Sequence, residues 1–378
     1  MLNALGVGFW SLGCRCVESC GILCGAGVDL VWFDSFGAKS AALRVGRVLV
    51  DPGAAAMQPS YPLPGEEKSR LRSEAVKAIE ERASSVDVLI ITHYHYDHHL
   101  LPSDPTLSNP ATLYCRKTIL AKNPNMYINR SQWERARLWL SQLLSLCGGG
   151  KLEDYLIEPR KSEFEDPVEE LVEAHSRDWG DYAKRRVELL RKGRKSFEKL
   201  ARLWASGDWV EEKISLSDGT NILFVDEGVY EVNNVRVKLL GPHFHGIEYD
   251  ATGWVVPVLL ETNNYKLLFT SDLMGPIIED YAFEILSIDP DILVADGPPT
   301  YLFPYMFNRV NLRRAVDNMV RIILESQRLK LVVYDHHLLR EKRWRQRVAE
   351  VFKVAEKAGI PVLTAAECLG EKPLIDRL

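Results

Sequence analysis

The stretch Ile91-Thr-His-Tyr-His-Tyr-Asp-His-His-Leu-Leu101 places four histidines and one aspartate within seven residues. It continues Val86-Asp-Val-Leu-Ile-Ile-Thr92, an apolar run rich in β-branched residues that predicts a buried strand. The histidines would therefore emerge at the carboxyl end of a strand, where α/β proteins place their functional residues. Because zinc and similar metals bind neutral imidazole and carboxylate, the stretch indicates a metal site rather than a solvated, histidine-rich loop.

The order of side chains along this stretch favours two metal ions over one. In an extended or turning segment, His93 and His95 face one side while Asp97 and His98 face another. Eight of the nine histidines lie in three clusters, each after a predicted strand, and the other two clusters are Gly241-Pro-His-Phe-His-Gly246 and Tyr334-Asp-His-His337. A further predicted strand ends in a carboxylate at Asp272.

The pattern His-x-His-x-Asp-His at 93–98 resembles the signature of the metallo-β-lactamase superfamily. Other strings resemble an uncharacterised, chiefly archaeal family of proteins with that fold, among them Asp34-Ser-Phe-Gly-Ala-Lys-Ser40, Thr270-Ser-Asp-Leu-Met-Gly-Pro276 and Asp335-His-His-Leu-Leu-Arg340. The resemblance covers residues about 28 to 145 and 215 to 378. It implies an α/β fold, a four-layer αββα sandwich with a helical insertion, but it supplies no substrate.

The resemblance also implies which residues bind two divalent metal ions, with zinc as the expected metal and iron or manganese as alternatives. The expected ligands are His93, His95 and His245 on the first metal, Asp97, His98 and His336 on the second, and Asp272 between them. His243 and His337 remain alternatives to His245 and His336. Whichever histidine is left over in each pair is expected to contact substrate or to hydrogen-bond a ligand. Catalytic roles are predicted for Asp97, His99 and His337.

Other residues in the resembling strings have two readings. Asp51 would brace the metal loop through hydrogen bonds, or it would simply open an Asp-Pro-Gly turn. Seven polar residues are candidates for substrate contact, although each is as well suited to capping or packing: Asp34, Ser35, Lys39, Asn129, Gln132, Tyr301 and Arg340. His175, alone in a charged region, is expected to be ordinary surface.

The domain organisation is predicted from changes in composition. A metallo-β-lactamase-like domain at 28–378 is expected to follow a cysteine-rich extension at 1–27 and to be interrupted by a charged helical insertion at about 150–213. The basic residues of the insertion, with Trp204 and Trp209 nearby, could contact phosphates. Interleaved acidic residues favour a solvated helical region instead. Short strands are predicted at 112–115 and 254–260, among others.

Charge and cysteine content restrict the location and the partners. A net charge of −5 gives no general attraction to nucleic acid. Seven cysteines without regular spacing predict reduced thiols in a cytoplasmic protein. Four of them, at 14, 16, 20 and 24, could hold a metal. The favoured interpretation of this region is instead a loose extension or a mis-called start of the sequence. The N-terminus lacks the basic region of a signal peptide, and no apolar run approaches the length of a membrane span.

The predicted function is that of a metal-dependent hydrolase with a dinuclear site and metal-bound hydroxide. Its expected partner is a small-molecule substrate, namely a phosphoester, lactone or thioester, with no membrane partner. One alternative is an RNA or DNA nuclease of the same fold, which would gain support if the basic insertion lined the metal cleft. The other is a non-hydrolytic metal-binding or di-iron redox protein. The sequence does not indicate an oligomeric state.

Overall fold

A computed structural model describes residues 16–378. In this range the strands form two large sheets of seven strands each and two small two-stranded sheets. The strands are β1 Val28–Phe33, β2 Ala41–Val45, β3 Val48–Val50, β4 Val88–Ile91, β5 Thr118–Ala121, β6 Leu156–Ile157, β7 Trp209–Val210, β8 Lys213–Ser215, β9 Asn221–Phe224, β10 Glu227–Val232, β11 Val235–Leu240, β12 His243–Phe244, β13 Trp254–Val255, β14 Val258–Glu261, β15 Lys266–Phe269, β16 Ile292–Asp296, β17 Leu331–Asp335 and β18 Val362–Leu363.

The helices flank both sheets. They are α1 Gly21–Gly25, α2 Gly65–Ala83, α3 Pro110–Tyr114, α4 Arg130–Leu146, α5 Val172–Ser176, α6 Ala183–Ser206, α7 Glu279–Ile288, α8 Arg309–Glu325, α9 Trp344–Arg347, α10 Ala349–Ala358 and α11 Ala365–Cys368. Among residues 16–378, none of these helices is both long and apolar enough to cross a membrane.

Strand order places the site at the ends of parallel strands. The first sheet runs β1-β2-β3-β4-β5-β9-β8, with β3, β4, β5 and β9 parallel. The second runs β10-β11-β14-β15-β16-β17-β18, and its last four strands are parallel. The carboxyl ends of β4, β15, β16 and β17 lead directly into the segments that carry the clustered histidines and aspartates.

Three clusters of buried apolar residues separate the fold into four layers. Strand residues such as Val50 and Ile90 of the first sheet and Phe269 and Val294 of the second share one apolar core between the sheets. The opposite face of the first sheet packs on α2 and α4, and that of the second sheet packs on α7, α8 and α10. Burial of alternate strand faces against helices and against the other sheet gives the predicted αββα sandwich. The fold class is therefore confirmed.

Two local predictions are wrong. Residues 112–115 are not a strand, because Asn109 caps the short helix α3 by accepting a hydrogen bond from the backbone of Thr112, and Pro110 occupies its first turn. The predicted strand 254–260 is divided into β13 and β14. Proline lacks the backbone donor that a continuous ladder needs, and Pro257 lies between the two strands.

The region between residues 150 and 213 is anchored to the domain rather than solvated throughout. Helix α6 exposes most of its charged residues, but Trp204 is fully buried and Trp209 nearly so. The indole of Trp204 donates to the carbonyl of Ile128 at 3.0 Å and packs edge-on against Trp254. These tryptophans belong to the core beside the first sheet, so they do not form an exposed surface for phosphate or base contacts.

A buried ion network attaches the same region to the second half of the chain. Arg314 of α8 donates to Glu248 and Glu279 at 2.7–3.0 Å, and Arg186 of α6 donates to Glu248 at 2.9 Å. Arg177 adds a further contact to Glu279 at 2.9 Å. Buried charges are tolerated when they are paired in this way. The network holds the segment after His245 against α6 and α8.

The cysteines correct the expectation of reduced thiols. Cys20 is bonded to Cys368, and Cys115 is bonded to Cys147. Both pairs have Cα separations typical of disulfides, 5.4 and 5.6 Å, because the fold brings together residues that are distant in the sequence. Residues 16–27 therefore lie against the domain rather than forming a loose extension. Cys14, one member of the predicted cysteine cluster, lies outside the described residues.

Candidate metal centre

The histidine loop that follows β4 forms a tight turn. The backbone amides of His98 and His99 both donate to the carbonyl of His95, at 2.9 and 3.2 Å. Gly53 lies directly against this turn, and a Cβ atom there would come within 2.2 Å of the backbone nitrogen of His99. The close approach of two backbones explains why glycine occupies this position.

Asp51 braces the loop. Its carboxylate accepts hydrogen bonds from the backbone and the hydroxyl of Thr92, at 2.8 and 2.7 Å. It also contacts Nδ1 of His98 at 2.8 Å. Of the two readings of Asp51, the structure supports the brace over the simple turn. Asp51 and His336 both have positive φ, which for residues other than glycine is often associated with functional sites.

The first group of candidate ligands is His93, His95, His245 and Asp272, whose ligand atoms all lie within 4.8 Å of one another. Oδ2 of Asp272 is 3.5 Å from Nε2 of His93 and 3.1 Å from Nε2 of His245. Nε2 of His93 is 3.1 Å from Nδ1 of His95. The structure thus brings together the four residues predicted around the first metal.

The second group is Asp97, His98 and His336. Nε2 of His336 is 3.8 Å from Oδ2 of Asp97 and 3.4 Å from Oδ1 of Asp272. Nε2 of His98 is 3.1 Å from Oδ2 of Asp272. Asp272 therefore faces both groups at once, which is the position expected of a ligand between two metals.

The residues present fit divalent metal ions. Among residues 16–378, no well-formed hydrogen bond satisfies Nε2 of His98, either ring nitrogen of His245 or either oxygen of Asp272, although these buried atoms lie close to one another. Leaving such groups unsatisfied is costly, and native proteins rarely do so without a ligand or an ion. Imidazole and carboxylate groups that converge with free lone pairs suit zinc, iron or manganese.

A second set of contacts orients the candidate ligands. Asp34 contacts Nδ1 of His336 at 2.9 Å, and Asp51 contacts Nδ1 of His98. Thr92 lies 3.1 Å from Nδ1 of His93. In metal sites such partners fix the imidazole ring and leave its other nitrogen for the metal. Nε2 of His336 and His98 points toward Asp272 in this way.

The electrostatics of the centre favour positive charge. Although burial raises the pKa of Asp97, His98 and Arg340 hold that pKa below its usual range. Burial likewise opposes ionisation of Asp272, but His98 and His336 hold its pKa well below the ordinary value. Burial lowers the pKa of His98, whereas Asp272 and Asp51 raise it to about 10. The carboxylates thus stabilise a cation at this position.

Not every predicted histidine joins the two groups. His243 contacts Glu284 and packs against Tyr281, so His245 is the member of that pair in the centre. His99 is buried beside Tyr94 and Tyr96, with Nδ1 on the carbonyl of His95 at 2.9 Å. Burial lowers the pKa of His99 to about 3, which keeps the ring neutral. His175 is exposed on α5.

His337 lies beside the ligands and has its own partner. Its ligand atom is within 4.8 Å of those of Asp272 and His336. Nδ1 and the backbone amide of His337 both contact the carboxylate of Asp296, at 2.9–3.1 Å. The structure therefore groups His336 with Asp97 and His98, while His337 is oriented by an aspartate on the neighbouring strand.

Asp296 belongs to the candidate site, although the sequence analysis did not select it. It ends β16 as Asp272 follows β15, and it is buried beside His337. Burial and the charge of Asp272 raise the pKa of Asp296 to about 8. Its position in the sequence could have indicated this, because Asp296 ends a predicted strand just as Asp272 follows one, and functional residues collect at the ends of such strands.

Several residues suggested as substrate contacts instead hold the site together. Asn129 caps α4 and donates to the carbonyl of Ala251, and Gln132 donates to the carbonyl of Thr252. The hydroxyl of Ser35 accepts from the backbone of Ala366. The hydrogen bonds of these three side chains therefore connect segments of the chain that are distant in the sequence.

The guanidinium of Arg340 lies beside the second group of candidate ligands. Nε of Arg340 donates to Asp34 at 2.6 Å, and Nη2 lies 3.3 Å from Asp97. The hydroxyl of Tyr301 is 3.5 Å from Nη1 of Arg340. Lys39 is partly exposed nearby, on the segment that precedes β2.

Comparison with known proteins agrees with this geometry. The family model of the metallo-beta-lactamase superfamily matches residues 45–99, from the end of β2 to the histidine loop. A UPF0282 protein of Metallosphaera sedula is 29% identical over 353 residues, which cover 92% of this chain and 89% of the relative. A UPF0282 protein of Methanopyrus kandleri is 28% identical over 350 residues, covering 90% of this chain and 92% of the relative. The predicted resemblance is confirmed.

Solved structures with detectable similarity are more distant. The metallo-beta-lactamase fold protein YhfI from Bacillus subtilis is 10% identical, with a TM-score of 0.40, and the match covers 89% of this chain and 95% of that one. A diphosphatase from the PhnP family is 13% identical, with a TM-score of 0.32, over 81% of this chain and 75% of that one.

Proposed function

From the premise that this chain has the metallo-β-lactamase fold, we propose that it is a metal-dependent hydrolase with a dinuclear centre. The observation that carries the proposal is Asp272, whose two buried carboxylate oxygens lie 3.1–3.5 Å from ring nitrogens of both groups of histidines. His93, His95 and His245 would hold one metal, and Asp97, His98 and His336 would hold the other. Such ions, once bound, would act as Lewis acids and would lower the pKa of a bound water toward neutrality, which makes that water a nucleophile at physiological pH.

The residues of the chain have separate tasks in this reaction. Asp34 and Asp51 keep His336 and His98 in the orientation that binding requires. Asp296 holds Nδ1 of His337, so Nε2 of that ring is the atom left to exchange a proton with substrate or water. Burial and the nearby Arg340 hold the pKa of His337 well below its ordinary value. The ring is therefore neutral at physiological pH.

A small-molecule substrate remains our proposal, and no observation favours the nuclease alternative. The nuclease alternative would gain support from a basic insertion that lined the metal cleft, but Trp204 and Trp209 of that region are buried in the core. Several of its arginines are paired with carboxylates, as Arg186 is with Glu248 and Arg194 is with Glu169. Phosphoesters, lactones and thioesters are the three bond classes to be compared.

The test uses protein loaded with zinc, iron or manganese and assayed on chromogenic phosphomonoester, phosphodiester, lactone and thioester probes. We expect hydrolysis of at least one class, lost on metal removal and restored on reloading. His337→Gln should lower kcat by roughly 10²–10⁴-fold at unchanged metal content. His175→Gln is the matched control on the exposed surface and should retain full activity. A fully loaded protein that hydrolyses none of the probes would count against the proposal.

A further inference from the structure

We propose that Lys39 and Arg340 form a binding site for a phosphate group of the substrate, beside the second group of candidate ligands. The proposal rests on the hydrolase function above and deepens it, because it selects phosphoesters from the three bond classes. It starts from the charges around Arg340 and from the position of Lys39, which forms no ion pair with a carboxylate of residues 16–378.

Two carboxylates hold Arg340 in place, each through a different nitrogen of the guanidinium. Nε is bound by Asp34, and Nη2 lies 3.3 Å from both Asp97 and Nε2 of His336. Among the described residues, Nη1 contacts only the hydroxyl of Tyr301, at 3.5 Å. A guanidinium in this state is held rigidly and presents one further donor. Since Asp34 also contacts His336, the guanidinium is held at a fixed position relative to the second group of ligands.

Lys39 adds a second positive charge. Within residues 16–378, its ammonium makes no hydrogen bond or ion pair, although the side chain is largely buried. The charged groups that act on it are those of Arg340, Asp97 and Asp34. Burial and the repulsion from Arg340 lower the pKa of Lys39, against the attraction of the two aspartates. A partly buried ammonium without a partner is an unfavourable arrangement that an anionic ligand would relieve.

The backbone keeps Lys39 close to the centre. Lys39 pairs with Ala55 through two hydrogen bonds of 2.9 Å. The next residue, Ser40, donates its backbone amide to Asp34 at 3.0 Å, and its carbonyl lies 3.1 Å from Nδ1 of His336. The position of Lys39 is thus set by residues that also orient a metal ligand.

A phosphate group fits this arrangement better than an uncharged ester. Lysine binds phosphate as a point charge, and arginine binds it through directed donors. A phosphoryl group has enough oxygens to contact these two cations and the metals at the same time. Lactones and thioesters carry no charge on the reacting group, so they would leave the ammonium of Lys39 unpaired.

The test measures binding of inorganic phosphate to metal-loaded protein by calorimetry, after metal content has been determined for every variant. Lys39→Gln should weaken phosphate binding by roughly 10- to 100-fold, because it removes one charge-assisted contact. Lys39→Arg should recover much of that loss. Lys77→Gln, on the exposed face of α2, is the control and should bind phosphate as the wild type does. Phosphomonoester probes should show a raised KM in Lys39→Gln, whereas uncharged esters should not.

The outcomes separate this inference from the proposed function. Equal phosphate affinity in the wild type and Lys39→Gln, at equal metal content, would overturn the phosphate site and leave the hydrolase proposal intact. Failure of the wild type to retain metal would refute the hydrolase proposal. Phosphate binding by that metal-free protein would then decide the inference: loss on Lys39→Gln would support it, and no dependence on Lys39 would overturn it.

Discussion

Replacing Asp34 with asparagine tests whether contacts behind the ligands build the metal centre. Asp34 is completely buried and accepts from Nε of Arg340 at 2.6 Å and from the amide of Ser40 at 3.0 Å, while it also contacts Nδ1 of His336 at 2.9 Å. Burial opposes ionisation, but Arg340 and His336 keep the pKa of Asp34 below its usual range, so the group is charged. Asparagine keeps the shape and removes the charge.

Two effects of different size are expected. Removing one partner of a buried ion pair costs about 3–5 kcal/mol in the free energy of unfolding of the metal-free protein. Loss of the partner that orients a metal-binding imidazole weakens metal affinity by roughly 10- to 100-fold. The second effect should be confined to the metal held by His336.

The assay combines chemical denaturation of the metal-free protein with chelator competition for each metal, at a temperature where wild type and variant are both folded. Asp181→Asn, at an exposed position before α6, is the matched control and should change neither quantity. Metal dissociation constants within twofold of wild type for Asp34→Asn would refute the reasoning, whatever the change in stability.

Three further predictions concern the framework. Trp204→Ala should lower the free energy of unfolding by about 3–5 kcal/mol because a large buried side chain is lost. Val187→Ala, exposed on the same helix, is the control and should change it by less than about 0.5 kcal/mol. Denaturant unfolding compares the two variants, and no loss of stability in Trp204→Ala would count against the buried insertion. Arg314→Met removes the arginine that Glu248 and Glu279 share and leaves each glutamate with one arginine partner, so thermal unfolding should show a free energy of unfolding lower by about 3 kcal/mol; an unchanged melting temperature would contradict the network. Thiol titration of the unfolded protein before and after reduction should detect the Cys115–Cys147 bond, and its removal should cost about 2–4 kcal/mol; full thiol reactivity without reductant would restore the original expectation of reduced cysteines.

Local patterns were sufficient for much of the fold. The apolar residues between 71 and 79 have helical spacing, which predicts α2. Thr262-Asn-Asn264 predicts a hairpin turn, and β14 and β15 on either side of it pair antiparallel. The histidine loop after β4 could be placed because strand and ligands are adjacent in the sequence. Patterns failed where a turn or a proline overrode the local preference, as at α3 and at Pro257.

Contacts between distant residues could not be read from the sequence. Asp34 and His336 are 302 residues apart, and the partner of Arg314 in the segment after His245 lies 66 residues away. The choice of His245 over His243 depends on Glu284, 41 residues beyond His243, which pairs with the latter. Such pairings follow from strand register and helix packing, for which one sequence without relatives provides no signal.

The most direct test of the central claim is the metal content of purified, reconstituted protein by plasma mass spectrometry, for the wild type and Asp272→Asn. The account predicts about two divalent ions per chain in the wild type, since one carboxylate serves two groups of ligands. Asp272→Asn should stay folded by circular dichroism and lose at least half of that metal. A wild type that retains no metal after reconstitution, or a variant with the full wild-type content, would contradict the dinuclear centre.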